Sequence, residues 1–156
     1  MDRNHGEDLL HKLIYTPIID TFGIHYLNAR SGRVEAVLTP DARFGNHSSN
    51  MQGGVQGVYL DNVMGQACYT LLGEGQRLST IDLNLSFLEP VPLDRLKCVA
   101  WVVKKGRRVI FTEGEIQNLD GKPLARATAS LMILRNNPGG RSGEPLKLWL
   151  DQTSTL

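Results

Sequence analysis

The sequence predicts an α+β fold, one long helix packed against a mostly antiparallel sheet, in a single domain spanning residues 1–135. Three observations predict it. Residues 53–72 form the most apolar helical stretch of the chain, and the breaker Gly73-Glu74-Gly75 follows them. Strand-like runs then succeed one another at 78–87, 96–105 and 108–118, and a last one at 123–134 starts after the hairpin turn Asp120-Gly121. On that last run Ala125, Ala127 and Ala129 share a face with Leu131 and Ile133, and small side chains at a strand surface let a helix sit close.

The remaining elements follow in order. Between residues 7 and 22, Leu9, Leu10, Leu13, Ile14, Ile18 and Ile19 recur at three-to-four spacing, which predicts an amphipathic helix carried through Pro17 and ended by Gly23. Runs 24–28 and 33–38 alternate around Ser31-Gly32 as a hairpin, and Pro40 closes the second strand. The polar segment 41–52, with Gly45, Asn46, Ser48, Ser49 and Asn50, is a loop that delivers the chain to the long helix. Residues 136–156 are predicted to be a tail: NNPGGRSGEP has linker composition, and LKLWL is expected to dock on the surface.

Composition narrows the function classes. With 156 residues, 41% hydrophobic and 21% charged, the chain reads as a soluble globular protein. Its 17 basic and 16 acidic residues nearly cancel, which argues against nucleic acid or an anionic membrane surface as partner. The polar N-terminus MDRNHGEDLLHK has no apolar leader, and no apolar run approaches the ~18 residues of a membrane span, so a cytoplasmic protein is expected. Cys68 and Cys98 sit in apolar stretches without metal-ligand spacing; neither a disulfide nor a metal site is assigned. The run 96–105 is apolar on both faces, with Cys98, Ala100 and Val102 on one and Val99, Trp101 and Val103 on the other. No spare helix remains to cover the second face, so subunit association is expected.

Candidate chemistry centres on the long helix. At about 100 degrees per residue, Gly57, Met64, Gly65, Cys68 and Leu72 lie within about sixty degrees of Asp61. Gln56, Tyr59, Asn62, Gln66 and Thr70 fall toward the other side. A carboxylate in such an apolar stripe is penalised by desolvation unless donors hold it, so Asp61 is either a bonded structural carboxylate or a functional one. The glycines one turn before and after it cost helix stability and clear space, which favours function. At the helix start, Gln52-Gly53-Gly54 offers backbone N–H groups at the positive end of the helix dipole, a place able to bind a developing oxyanion. On the run 78–87 strict alternation puts Thr80, Asp82, Asn84 and Ser86 on one face and Ile81, Leu83, Leu85 and Phe87 on the other.

The blocks N46-HSSNMQGG-VQGVYLDNVMG, T80-IDLNLSFLEPV, KKGRR and LDGKPLARATAS resemble, in order, the hotdog-fold acyl-CoA thioesterases of the phenylacetate-pathway (PaaI) type, over residues 32–134. The resemblance implies a hotdog domain: a long helix wrapped by an antiparallel sheet, dimerised through the sheets or assembled as a dimer of dimers, with sites shared between subunits. It also implies roles: Asn46 as the loop amide, Gly53 as the oxyanion-binding N–H, Asp61 as base or nucleophile, and Thr80 as the hydroxyl that holds Asp61 or the attacking water. Gln52, Gly54 and Asn62 are expected to contact substrate. Gln52 stands where the family usually has His, and an amide cannot take up a proton near neutral pH, so the carboxylate must carry the chemistry. Lys104, Lys105, Arg107 and Arg108 around Gly106 form a cluster suited to the phosphates of coenzyme A, which is part of the substrate; no separate cofactor is expected. Tyr59, Met64, Tyr69, Phe87 and Trp101 are candidates to shape an acyl pocket or to be plain core. The alternative function is a non-catalytic acyl-CoA binding module. A hydratase is disfavoured because no His lies on the helix or at its start.

Overall fold

A computed structural model describes residues 7–135. Six strands, β1 (Ile24–Arg30), β2 (Arg33–Leu38), β3 (Gln76–Phe87), β4 (Leu96–Lys105), β5 (Val109–Gln117) and β6 (Pro123–Arg135), form one sheet. Its order is β1-β2-β4-β5-β6-β3, and every neighbouring pair is antiparallel. The long helix α2 (Gly53–Tyr69) lies on one face of the sheet and packs against its strands. The predicted α+β class and the order of these elements agree with the sequence, with strand ends shifted by a residue or two and α2 ending at Tyr69 rather than residue 72.

α2 is buried almost all round because small residues beneath it let it close on the sheet. Tyr59, Leu60, Val63, Met64, Ala67 and Cys68 are fully buried. Below them Ala125, Ala127 and Ala129 of β6 are buried as their alternation predicts, and Gly114 of β5 is the point of closest approach. A Cβ there would stand 2.9 Å from Met64 Cγ and 3.3 Å from Leu60 Cδ2. Each large side chain buried in this layer contributes about 1.5–3 kcal/mol of hydrophobic free energy. One flank of the helix stays open. Val58, Asp61, Asn62, Gly65 and Tyr69 are only half-buried, because β3 is the last strand of the sheet among the described residues and none of these adds a strand beyond it.

The N-terminal segment departs from the sequence expectation. Instead of a helix over 7–22 there is a short 3-10 turn at Leu10–Lys12, an extended stretch, and a six-residue helix α1 (Pro17–Phe22). Pro17 opens α1 at a position where its missing N–H costs nothing, and Thr16 before it is extended at φ −136° and ψ 145°. The extended stretch straps itself onto α2 with bonds a helix would have used internally. Gln66 Oε1 accepts from Ile14 N at 2.9 Å, and Gln66 Nε2 donates to Ile14 O at 2.5 Å. Lys12 Nζ donates to the carbonyls of Thr70 (3.2 Å) and Leu72 (3.4 Å) beyond the C-terminal end of α2, where a cation is favoured. The apolar spacing was real, and Leu13 is fully buried; tertiary partners overrode the helical period.

The two apolar faces of β4 are not equally covered. Cys98 and Ala100 point into the core, and on the other face Val99 is buried while Val103 is 57% exposed, beside Phe111 at 46% and Met132 at 42%. Both thiols are free and buried, and burial pushes the Cys68 thiol up to about 12 despite a hydrogen bond with Thr112. No helix among the described residues is long and apolar enough to cross a membrane. The expected 136–156 tail lies outside the described residues.

Candidate active site

Asp61 sits on the open flank of α2, half-buried, and its partner comes from β3: Thr80 Oγ1 donates to Asp61 Oδ1 at 3.0 Å. Of the apolar stripe around Asp61, Gly57, Met64 and Cys68 are buried, whereas Asp61 itself and Gly65 lie at its half-buried edge. Strict alternation on β3 is corrected. A bulge between Thr80 and Asp82, opposite Leu131 and Ser130 of β6, inserts one residue, so Thr80 shares the helix-facing side with Leu83 and Leu85. Asp82 turns away and accepts from Ser130 N at 3.1 Å. Without that extra residue Thr80 would point away from the carboxylate.

The glycines beside Asp61 divide in role. A Cβ on Gly57 would meet Leu85 Cδ1 at 3.1 Å, so this glycine lets β3 approach the helix rather than clearing space for a ligand. Gly65 is different: a Cβ there meets nothing within 4 Å. It opens into a cavity of about 160 Å³ that Asp61 and Thr80 line, together with Ile14 and Thr16 of the strap.

Asn62 also lines this cavity, but its amide is committed. Its Oδ1 accepts from Tyr26 Oη at 2.5 Å and its Nδ2 donates to Thr16 Oγ1 at 3.4 Å. Burial, and secondarily the Cys98 thiol, pushes the Tyr26 hydroxyl well above the usual range, which keeps it a donor. Asn62 therefore ties the helix to β1 and the strap while lining the cavity beside Asp61.

The helix start forms a second, separate group. Gln52 is the N-cap residue, and its own Oε1 accepts from Gly54 N at 2.5 Å, which caps the helix and leaves the two Nε2 hydrogens available. Gly53 N–H donates to no group among the described residues, and the Phe87 ring packs on the α-carbon, where an added Cβ would lie 3.0 Å from Phe87 Cζ. Asn46 is exposed in the preceding loop, its Oδ1 accepting from Ser48 N (2.9 Å) and Asn50 N (3.2 Å), which folds the loop back toward the helix start. Gly53 and Asp61 are eight residues apart on one helix, about 12 Å along its axis at 1.5 Å per residue. Within one chain they cannot both touch the same carbonyl group.

Lys104, Lys105, Arg107 and Arg108 are exposed at the tip of the β4–β5 hairpin. That tip is far from Gly53 but on the sheet row of Thr80, since Thr80 pairs with Leu131, Leu131 with Ile110, and Ile110 with Lys105. Three strand spacings make this about 14 Å. Lys105 shares a broad cleft with the 73–76 turn and with Arg135, a cation the sequence reading did not include. Of the five candidate pocket side chains only Tyr69 lines the Asp61 cavity. Tyr59 donates to Phe22 O at 2.6 Å, Met64 is core, Phe87 covers Gly53, and Trp101 lies under the Arg33 guanidinium at 6.0 Å. The strap residues and Gln66 were missed; the one signal for them was Thr16-Pro17 interrupting the helical period.

A six-stranded antiparallel sheet around one long helix, with a carboxylate on that helix and a glycine-rich helix start, defines a hotdog domain of the thioester-hydrolase class. Comparison with known proteins agrees, because the thioesterase superfamily model matches residues 49–125. A phenylacetic acid degradation-related protein from Ralstonia eutropha JMP134 is 33% identical, covering 76% of this chain and 91% of that one, with a TM-score of 0.72. A thioesterase family protein from Silicibacter pomeroyi is 27% identical over 78% and 91% of the two chains, with a TM-score of 0.74. A Bacillus halodurans protein solved with CoA is 28% identical over 79% and 82%, with a TM-score of 0.71. The chain belongs to the thioesterase superfamily.

Proposed function

We propose that this protein is an acyl-CoA thioesterase of the PaaI-like type that hydrolyses its substrate to a free acid and coenzyme A in sites completed by two copies of the chain. The observation that carries the reading is the Asp61–Thr80 pair, a carboxylate held at 3.0 Å by a hydroxyl on the only open flank of an otherwise buried helix. Asp61 acts as general base toward water or attacks the carbonyl itself, and Gly53 N–H polarises the thioester oxygen.

The 12 Å separation along the helix supports the second copy. β3 is a long edge strand with Ile81 and Phe87 more than half exposed, as is Leu88 just after it, and such edges pair with other chains unless protected. If two β3 strands run antiparallel about a dyad between Leu83 and Asn84, Thr80 faces Phe87 of the partner subunit. Because Phe87 covers Gly53 within a chain, this pairing carries the helix start of one copy toward the carboxylate of the other. The arrangement is a homodimer, or a tetramer built from two of them. The Bacillus halodurans relative was solved with CoA, and the basic hairpin on the Thr80 row supplies cations for nucleotide phosphates. No cofactor beyond the substrate's own CoA enters this chemistry.

Complementation tests the reading. Asp61→Asn removes the carboxylate, and Gly53→Pro removes the polarising N–H at a first-turn position that suits proline's backbone, with the exposed Phe87 ring shifting to admit its Cβ. Each variant alone is expected to be inactive in thiol release from acyl-CoA. Co-expressed in equal amounts, half of the dimers are mixed and one of the two sites in each is intact, so about a quarter of wild-type activity returns. No recovery from verified mixed dimers refutes the shared site, and wild-type protein that releases no thiol from any acyl-CoA while binding it refutes hydrolysis in favour of a binding module.

A further inference from the structure

Resting on that functional reading, we infer that Asp82 is a positioning residue for the Asp61 site. Its carboxylate holds the bulge in β3 that turns Thr80 toward Asp61, and without it the strand falls into a competing register that presents Ile81 instead.

β3 has two ways to pair with β6, and they differ by one residue. From Asp82 to Phe87 the pairing is common to both, with Asp82 opposite Ser130 and with Leu83 and Leu85 over Gly57 of α2. In the structure Ile81 is the extra residue, so Thr80 stands opposite Leu131, and Leu78 packs against the core. A flat ladder would pair Ile81 itself with Leu131. Strict alternation would then turn Ser79 and Ile81 toward the helix and Leu78 and Thr80 away from it. The apolar exchange is nearly even, one isoleucine against one leucine. Local alternation of Ile81, Leu83 and Leu85 favours the flat ladder, yet the observed register leaves Ile81 52% exposed. A polar contact decides between them.

That contact is made by Asp82. In a flat ladder the Ser130 N–H would meet a backbone carbonyl of β3, and a bulge disrupts the ladder at this point. Asp82 Oδ1 accepts from the Ser130 N–H at 3.1 Å, a charge-assisted bond that supplies the acceptor where the bulge interrupts the pairing. Asp82 and Ser130 line a groove on the outer face of the sheet with Asn84 and Thr128, whereas Thr80 lines the cavity beside Asp61 on the helix side. Within the chain Asp82 therefore acts on Asp61 only through Thr80.

The test measures kcat, KM and a thermal melt with an acyl-CoA that wild type hydrolyses, and follows the contact between the Thr80 and Asp61 side chains by nuclear Overhauser effects. Asp82→Ala should lower kcat about 10- to 100-fold, the worth of one hydrogen bond to a charged group, with KM little changed. Asp82→Asn keeps an acceptor oxygen and should stay within about threefold of wild type. Added to Thr80→Ala, Asp82→Ala should lower kcat no further, because both act through one hydroxyl. The decisive variant is Ile81→Thr in the Asp82→Ala background. In the flat register it puts a hydroxyl opposite Leu131, where Thr80 stood, and should restore kcat to within about threefold of wild type. Asp82 is exposed, so the variants should fold; Asp82→Val, a strand former without an acceptor, replaces Asp82→Ala if that one does not. Near-normal kcat in Asp82→Ala, a Thr80–Asp61 contact that survives in it, or a loss that Ile81→Thr leaves unrepaired overturns the inference. If wild type releases no thiol from any acyl-CoA, the Overhauser contact decides alone. Lost in Asp82→Ala and kept in Asp82→Asn, it retains the positioning role and rejects hydrolysis, and any other pattern overturns the positioning role.

Discussion

Replacing Asp61 by Asn removes a negative charge and a base or nucleophile while keeping nearly the same shape. The structure predicts how little else changes. Thr80 Oγ1 donates to Asp61 Oδ1 at 3.0 Å, and an asparagine oxygen in the same place accepts the same bond. Asp61 is half-buried and no salt bridge among the described residues involves it, so no buried cation loses its partner. The stability change should therefore stay within about 1 kcal/mol, the difference between a charged and a neutral acceptor at a partly exposed site. For a domain of this size that is at most about 4 °C in Tm. Catalysis should respond quite differently, because general-base action is worth about 10²- to 10⁴-fold and kcat should fall by at least that range. KM for acyl-CoA should move little. Thiol-release kinetics and a thermal melt on the same preparation measure both quantities. A folded Asp61→Asn protein with near-normal kcat refutes the assigned chemistry. A Tm drop well beyond 4 °C with turnover retained in the folded fraction shows that the carboxylate is a structural tie.

Gly114→Val should destabilise by about 1–3 kcal/mol, since a Cβ would stand 2.9 Å from Met64 Cγ under a closely seated helix; urea unfolding reads this as a lower midpoint. Gln66→Leu should leave the Ile14 N–H and C=O without partners, cost about 1–3 kcal/mol, and speed proteolytic cleavage in the strap, visible by mass spectrometry of the early fragments. Arg107→Ala with Arg108→Ala should raise KM for acyl-CoA more than for a short thioester lacking the nucleotide, and equal effects would remove the hairpin from the CoA site. Alkaline pH should destabilise the fold. Burial raises the Cys68 thiol from about 9 to about 12 and the Cys98 thiol in the same direction, so both stay protonated when folded while the unfolded chain ionises. Stability is complete below about pH 9 and declines through about pH 12, and flat unfolding midpoints across that window would contradict the buried thiols.

Local rules were enough for much of this protein. Residues 53–72 read as helix because apolar residues run through them and Gly73-Glu74-Gly75 follows, and the helix forms over Gly53–Tyr69. The Ala125, Ala127, Ala129 stripe announced which face of β6 receives that helix, and Asp61 stood out as a charge among apolar neighbours. Those features depend on composition and on periods of 3.6 and 2, which a single chain displays directly. What only the tertiary structure decided is where periodicity was interrupted or a partner was distant. The bulge between Thr80 and Asp82 moves Thr80 onto the helix side, and no residue type at that point signals the insertion. The strap formed instead of a helix because Gln66, 52 residues away, supplies the bonds of Ile14. Gly57 and Gly65 look alike in sequence, yet Leu85 fills the space over one and a cavity lies over the other. Contacts between residues far apart in the chain assign those roles, and no local pattern carries them.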